Sequence, residues 1–446
     1  MLDLYSHVKD YETRTGRSFL SALQTLYQSA PAEWAIDLSA RKASLFLEVL
    51  KLQRVKKPVE LLGWSDEENE VKNFLECLPY ISQLKLNESM TMELARVQRA
   101  VRGHGPVMLE KLSLDLSYTK PPAEVLSAVL SSLESLLREW TVQCVDLSKC
   151  HIQGHSLIPL LSDQGALTIR LNSRFMMAAL REIFEMGAGD LVSSLVKSAG
   201  NWINLNKRVL DSHDCAALRF ILSHTDCVGL SLIWASITEE EIQRTVPLLT
   251  RVSQLSVDRK LMLKLLHSCL TSAHQQGAAE LLRTLQFKLD FSSSCSVDLT
   301  EEEESMSLCL SVSDCRTISM AIQLVRCDTQ LLLKDCTIQD AGLEELYPIL
   351  HRVHLSLSKP LLLQLVCMTP VQDEGRSVSR ATALLRALGG ELDLSHTPLS
   401  LQACRSLALV LDRSDGLAEL DLSHCQLTDH CVEPLFPHLH KARVLE

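Results

Sequence analysis

The chain has 446 residues, 46% of them hydrophobic, and carries a formal net charge of -11. That excess of acid removes any whole-molecule electrostatic case for binding nucleic acid or an anionic membrane. Charges are scattered through Met1–Asp10 and no apolar run reaches about 18 residues, so neither a signal peptide nor a membrane span is predicted and a cytoplasmic protein is expected.

Fifteen cysteines are an odd number spread along the whole length, which favours reduced, buried thiols over a disulfide framework. The sequon Asn87-Glu-Ser89 then has no glycan to carry.

Residues 1–33 read as a helical segment able to cap the region that begins at Trp34. Phe19, Leu20, Leu23, Leu26 and Tyr27 recur at helical spacing, and Ala30-Pro31 ends the helix because the residue before proline avoids the α region. From Trp34 onward one unit recurs: a short Leu-x-Leu strand followed by an amphipathic helix. Ile36-Asp-Leu38 precedes a helix carrying Ala43, Phe46, Val49 and Leu50, and Val59-Glu-Leu61 precedes one carrying Val71, Phe74 and Leu75.

Further strands begin at Leu84, Leu112, Val145, Ile169, Ile203, Leu230, Leu255, Leu289, Leu308, Leu331, Leu355, Leu392 and Leu420. From Ile36 to Leu420 there are fourteen steps over 384 residues, a mean near 27. The spacing of 19 between Leu289 and Leu308 is the shortest of them. The long step from Leu355 to Leu392 contains Thr369-Pro-Val-Gln-Asp-Glu-Gly-Arg-Ser377, read as a surface loop. Glu301–Glu304 reads as a solvated helix start after Thr300.

The clearest copy is Leu417-Ala-Glu-Leu420-Asp-Leu422-Ser-His-Cys425-Gln-Leu427, and Leu392-Asp-Leu394-Ser-His stands 28 residues upstream, 420 minus 392. The same inward cysteine recurs in Val145-Asp-Leu147-Ser-Lys-Cys150 and Leu331-Leu-Leu333-Lys-Asp-Cys336. The pattern resembles the leucine-rich repeats of ribonuclease inhibitor and of the C-terminal sensor regions of NOD-like receptors. The resemblance implies an α/β fold, a curved leucine-rich repeat solenoid or horseshoe over residues 34–446. Parallel strands would line its concave side and helices its convex side, in about 15 repeats. After Val432, Leu435 and Phe436 the sequence Lys441-Ala-Arg-Val444-Leu445 approaches a further strand, and an open last layer would favour self-association through that end.

Chemistry is not expected. Gly103-His-Gly105-Pro lacks the Lys-Ser/Thr of a phosphate-binding loop and reads as a loop between helix and strand, so no nucleotide or other cofactor is carried over. His213-Asp-Cys215 reads as a packed thiol at a helix start. The cluster His424-Cys425, His430-Cys431 and His438-x-His440 could suggest zinc, but the repeat register points its members in different directions, so no metal is expected.

What remains is a binding surface. In a Leu-x-Leu strand the intervening side chains face away from the core. Those singled out are Lys85, Asn87, Asp146, Ser148, Arg170, Asn172, Asn204, Asn206, Asp258, Lys334, Asp393, Ser395, Asp421 and Ser423. They suit a protein partner or, as the resemblance implies, a pathogen-derived ligand of an innate immune sensor; an inhibitor that plugs an enzyme's active site is the alternative.

Overall fold

The computed structural model describes the chain except residues 1, 18, 20–22, 25–26, 29–32, 41, 101–106, 118–121, 151–166, 272–275, 293–306, 369–373, 413–416, 426 and 446. The Gly103–Gly105 and Glu301–Glu304 readings lie outside the described residues, as does much of the segment from Phe19 to Pro31. The fold is mixed α/β with parallel strands, and it divides into two compact units. One comprises Met1–Leu205 with Ala216–Thr225, the other Asn206–Cys215 with Asp226–Glu446.

In the first unit, helix Leu2–Thr15 packs on helix Ala43–Lys51. The Tyr5 hydroxyl donates to Glu48 at 3.0 Å and Lys9 pairs with the same carboxylate at 2.7 Å. Burial and Glu48 together push the Tyr5 phenol up to about 12. Phe19, expected on the core side of a helix, is 41% exposed, whereas Leu23 and Tyr27 are buried.

Six strands then pair in sequence order, all parallel: β1 (Trp34–Asp37), β2 (Lys57–Gly63), β3 (Ile81–Leu86), β4 (Met108–Asp115), β5 (Thr141–Lys149) and β6 (Thr168–Leu171). A short β7 (Trp202–Asn204) comes next. Alternation explains the layering. Val59, Leu61, Leu84, Leu86, Leu112, Leu114, Val145 and Leu147 point inward and are almost fully buried, while the residues between them are half-buried or exposed. A bulge between Ile36 and Asp37 pairs Asp37 with Gly63 and leaves Leu62, 62% exposed, outside the pattern.

In the second unit, β8 (Val228–Leu232) pairs with β9 (Val252–Val257). β10 (Lys288–Asp290) does not pair with β11 (Leu308–Leu310), which corrects the expectation of a repeat strand at Leu308. β10 pairs directly with β12 (Thr329–Leu333), and β11 pairs instead with β13 (Cys336–Ile338), the segment beyond the bend. Leu308-Cys-Leu310 has the right local pattern but belongs to the return stretch of a long unit.

β12 also pairs with β14 (Val353–Leu357), and β15 (Glu391–Asp393), β16 (Leu417–Asp421) and β17 (Ala442–Leu445) form a further parallel sheet. β17 is the strand approached by Lys441–Leu445. The expected loop up to Ser377 is partly helix, because Glu374–Ala387 is one helix. No described helix is long and apolar enough to cross a membrane.

Candidate binding face

Two features recur at bends that end the strands. The first is an Asp-x-Ser turn: Ser39, Ser117, Ser148, Ser292, Ser395 and Ser423 donate their backbone N–H to the Oδ1 of Asp37, Asp115, Asp146, Asp290, Asp393 and Asp421, at 2.8–3.1 Å. An aspartate there closes the strand by offering its oxygen to a backbone donor the ladder no longer serves.

The second is the inward cysteine. Cys150 donates its thiol to the carbonyl of Leu114 at 3.4 Å, Cys336 to Phe291 at 3.5 Å and Cys425 to Leu394 at 3.1 Å. Each acceptor is the neighbouring strand's counterpart of the residue three before the cysteine, so the three thiols are equivalent. Cys150 and Cys336 are buried, and burial pushes both thiols up to about 12, which makes them poor nucleophiles. Cys425, expected to be buried, is only half-buried.

Above these bends, the open face of the first unit's sheet carries one lateral row in register across five strands: Glu60, Lys85, Ser113, Asp146 and Arg170. A second row, one step toward the strand starts, is Pro58, Gln83, Lys111, Cys144 and Thr168. The charges interlock. Lys85 lies 2.5 Å from Glu60 and 3.3 Å from Asp115, Lys149 lies 3.1 Å from Asp115, and Lys111 lies 2.6 Å from Asp146.

Burial works against a charged Asp115, but hydrogen bonds from Ser117, Lys149 and Lys85 outweigh it and hold the carboxyl well below the usual range. The same balance, with Lys111 and Ser148 as donors, keeps Asp146 low. The bond to Glu60 raises the Lys85 ammonium further still. These residues line a shallow cleft of about 260 Å³.

The structure sorts the fourteen expected residues into three groups. Lys85, Asp146, Ser148 and Arg170 belong to this lattice; Arg170 and Ser148 are exposed, whereas Asp146, expected in open solvent, is half-buried by Lys111. Asn87, Asn172, Asn206 and Asp258 are not free surface groups. Asn87 and Asn172 accept from Met90 and Phe175 at 3.0 and 2.9 Å and so cap the next helix in each case, and Asn172 also donates to the Cys150 carbonyl at 2.6 Å. Asn206 accepts from Ser231 and Ile233, and the buried Asp258 accepts from Trp234 and Leu261.

Among the rest, Lys334 and Asp393 are exposed, Asn204, Asp421 and Ser423 half-buried, and Ser395 buried in its turn. Lys359 reaches Asp393 at 2.9 Å. Glu60, Ser113, Lys111 and Asp115 complete the cleft but are absent from the expected set. The alternation rule that selected Lys85 also selects Glu60 in Val59-Glu-Leu61 and Ser113 in Leu112-Ser-Leu114.

The stretch His213-Asp-Cys215 holds a buried thiol aimed at the Leu210 carbonyl, with His213 exposed. Among the described residues no group of three His, Cys, Asp or Glu side chains could hold a metal ion. No family model matches the chain, and no curated protein matches it.

Proposed function

We propose that this chain is a leucine-rich repeat solenoid of the ribonuclease inhibitor-like type, with strands on its concave side and helices on its convex side. In this reading it is a non-catalytic scaffold that binds a protein partner across the open strand face. The observation that carries this reading is the register-aligned row from Glu60 to Arg170 over the cleft. Side chains held by their neighbours lose little freedom when a partner docks, and interlocked charges reject partners that cannot match them.

The equivalent thiol contacts of Cys150, Cys336 and Cys425 support the repeat. The described cysteines are all free, which supports a reducing, cytoplasmic setting. The sensor region of a NOD-like receptor-type immune protein is the role that fits the resemblance.

The test compares three proteins as bait in cytosolic lysate, with captured partners quantified by mass spectrometry. These are the unmodified chain, a strand-face variant carrying Lys111→Glu and Arg170→Glu, and a helix-face variant carrying Arg138→Glu. The proposal expects a partner retained by the first and third and lost by the second. Identical capture by all three, or steady nucleotide hydrolysis by the pure chain, overturns it.

A further inference from the structure

The second unit bears a separate cluster on the bends that end its strands. Lys207, Trp234, Asp335, His396 and His424 stand four residues after Ile203, Leu230, Leu331, Leu392 and Leu420, the first inward residue of the apolar-x-apolar pattern in each case, and all five take left-handed backbone conformations, with φ between 56° and 60°. Asp and His tolerate that region, but a bulky tryptophan there is strained. At Trp234 the conformation is held by its N–H donating to Asp258 at 3.0 Å, and it sets the ring half-exposed on the surface. The Lys207 ammonium lies 4.5 Å from the ring centroid.

Beside them Val209 is 78% exposed, and the Arg208 Nε is shielded from solvent without a hydrogen-bond partner. The loop is rigid, because Lys207 N–H donates to Ile233, Ser236 N–H to Arg208 and Leu210 N–H to Ser236, all at 2.8–2.9 Å. Among the described residues no carboxylate pairs with Lys207 or Arg208. Two cations without a carboxylate partner, next to an aromatic anchor, suit a bound anion.

We infer that Lys207, Arg208, Val209 and Trp234 form a docking site for an acidic segment of a partner protein. A carboxylate of that segment is taken by Lys207 and the accessible part of the Arg208 guanidinium, and a neighbouring aliphatic side chain lies on Trp234 and Val209. A protein segment is favoured over nucleic acid because a patch of two cations in a chain of net charge -11 gives a polyanion little purchase, while exposed Val209 asks for an apolar partner. The site shares no residue with the strand face of the first unit, so it stands or falls independently of that face.

The test titrates the full chain into a fluorescein-labelled Glu-Glu-Leu-Glu-Glu-Leu peptide and follows anisotropy. A Gln-for-Glu peptide and an oligothymidylate of equal charge serve as comparisons. The acidic peptide is expected to bind, with affinity falling about tenfold for Lys207→Glu and for Trp234→Ala, and not for Lys207→Arg. Trp234→Gly separates docking from folding: glycine relaxes the left-handed backbone, so its melting temperature should match or exceed that of the parent while peptide binding is lost. The inference is overturned if the acidic peptide does not bind, if either comparison binds as tightly, if the Lys207 and Trp234 substitutions leave affinity unchanged, or if Trp234→Gly lowers the melting temperature.

Discussion

The two units are alike in the apolar residues each buries and differ in the residues their strands turn outward. In the first, the in-register row reads Glu60, Lys85, Ser113, Asp146 and Arg170; in the second, the matching positions are Asp290, Leu332 and Ser356 on one sheet, Ser231 and Ser256 on another, and Asp393 and Asp421 on a third. One step toward the strand starts, Lys111 and Gln83 in the first unit contrast with Lys288, Gln330 and His354 in the second. Alternate residues of a strand therefore answer to different demands. The inward leucines fix the fold in both units, and the outward residues are free to become a row of mixed, interlocked charges in one and a row of mostly serine and aspartate in the other.

If that separation holds, the largest effects should be the same in both units. Leu147 and Leu333 are both fully buried at the strand position three before the inward cysteine. Leu147→Ala and Leu333→Ala should each cost about 2–5 kcal/mol in denaturant unfolding, and a consistent difference well beyond that range would show that the interiors are not equivalent.

A smaller effect distinguishes the bulged edge of the first unit. A Cβ placed on Gly63 would sit 1.9 Å from the Asp37 Oδ1 that closes the Asp37-x-Ser39 turn. Gly63→Ala should cost about 1–3 kcal/mol, and much less in an Asp37→Gly background, since the clash is with that side chain alone. Equal losses in both backgrounds would mean that Gly63 matters for some other reason.

Asp115 tests the charged face through pH. Its folded carboxyl is held below its unfolded value, so the stability it adds is present above the ordinary carboxylate range and fades as pH falls through the folded value. Asp115→Asn should therefore cost about 1–2 kcal/mol at neutral pH, with the gap from the parent narrowing below about pH 4. A gap that stays constant to lower pH would leave the turn geometry, not the charge, as the source.

How much of this was legible depends on the range of the interaction. Leucine alternation reveals most of the inward strand residues, and the spacing of Cys150, Cys336 and Cys425 reveals the bends, because both are local patterns. Leu308-Cys-Leu310 misleads for the same reason: its pattern is local, and only its pairing with Cys336–Ile338 reveals the return stretch. Asp and Ser of the bends looked like surface candidates because a sequence does not say that one aspartate oxygen is already given to the serine two residues on. Asn206 and Asp258 failed similarly, their partners lying about 25 residues away along the chain. The left-handed tryptophan left no sequence signal, since glycine is the usual marker of that conformation.

The smallest predicted effect is the sharpest probe of the contrast between the faces. Lys111 pairs with Asp146 at 2.6 Å with both side chains partly covered, at 29% and 15% exposure, so the pair is neither a solvated surface bridge nor a buried one. Lys111→Met keeps the stem that packs on the sheet and removes only the ammonium, leaving Asp146 its serine bonds. It should cost about 0.5–1 kcal/mol at low salt, and that cost should shrink in about 1 M salt, where charges are screened within about 3 Å. Gln330→Met, on the in-register row of the second unit where no ion pair is broken, should stay within about 0.5 kcal/mol of the parent at either salt. If Lys111→Met is silent at low salt, the lattice adds nothing to folding and its order comes from packing alone. If Gln330→Met is the more costly of the two, the uncharged outward position at Gln330 adds more to folding than the Lys111–Asp146 pair does.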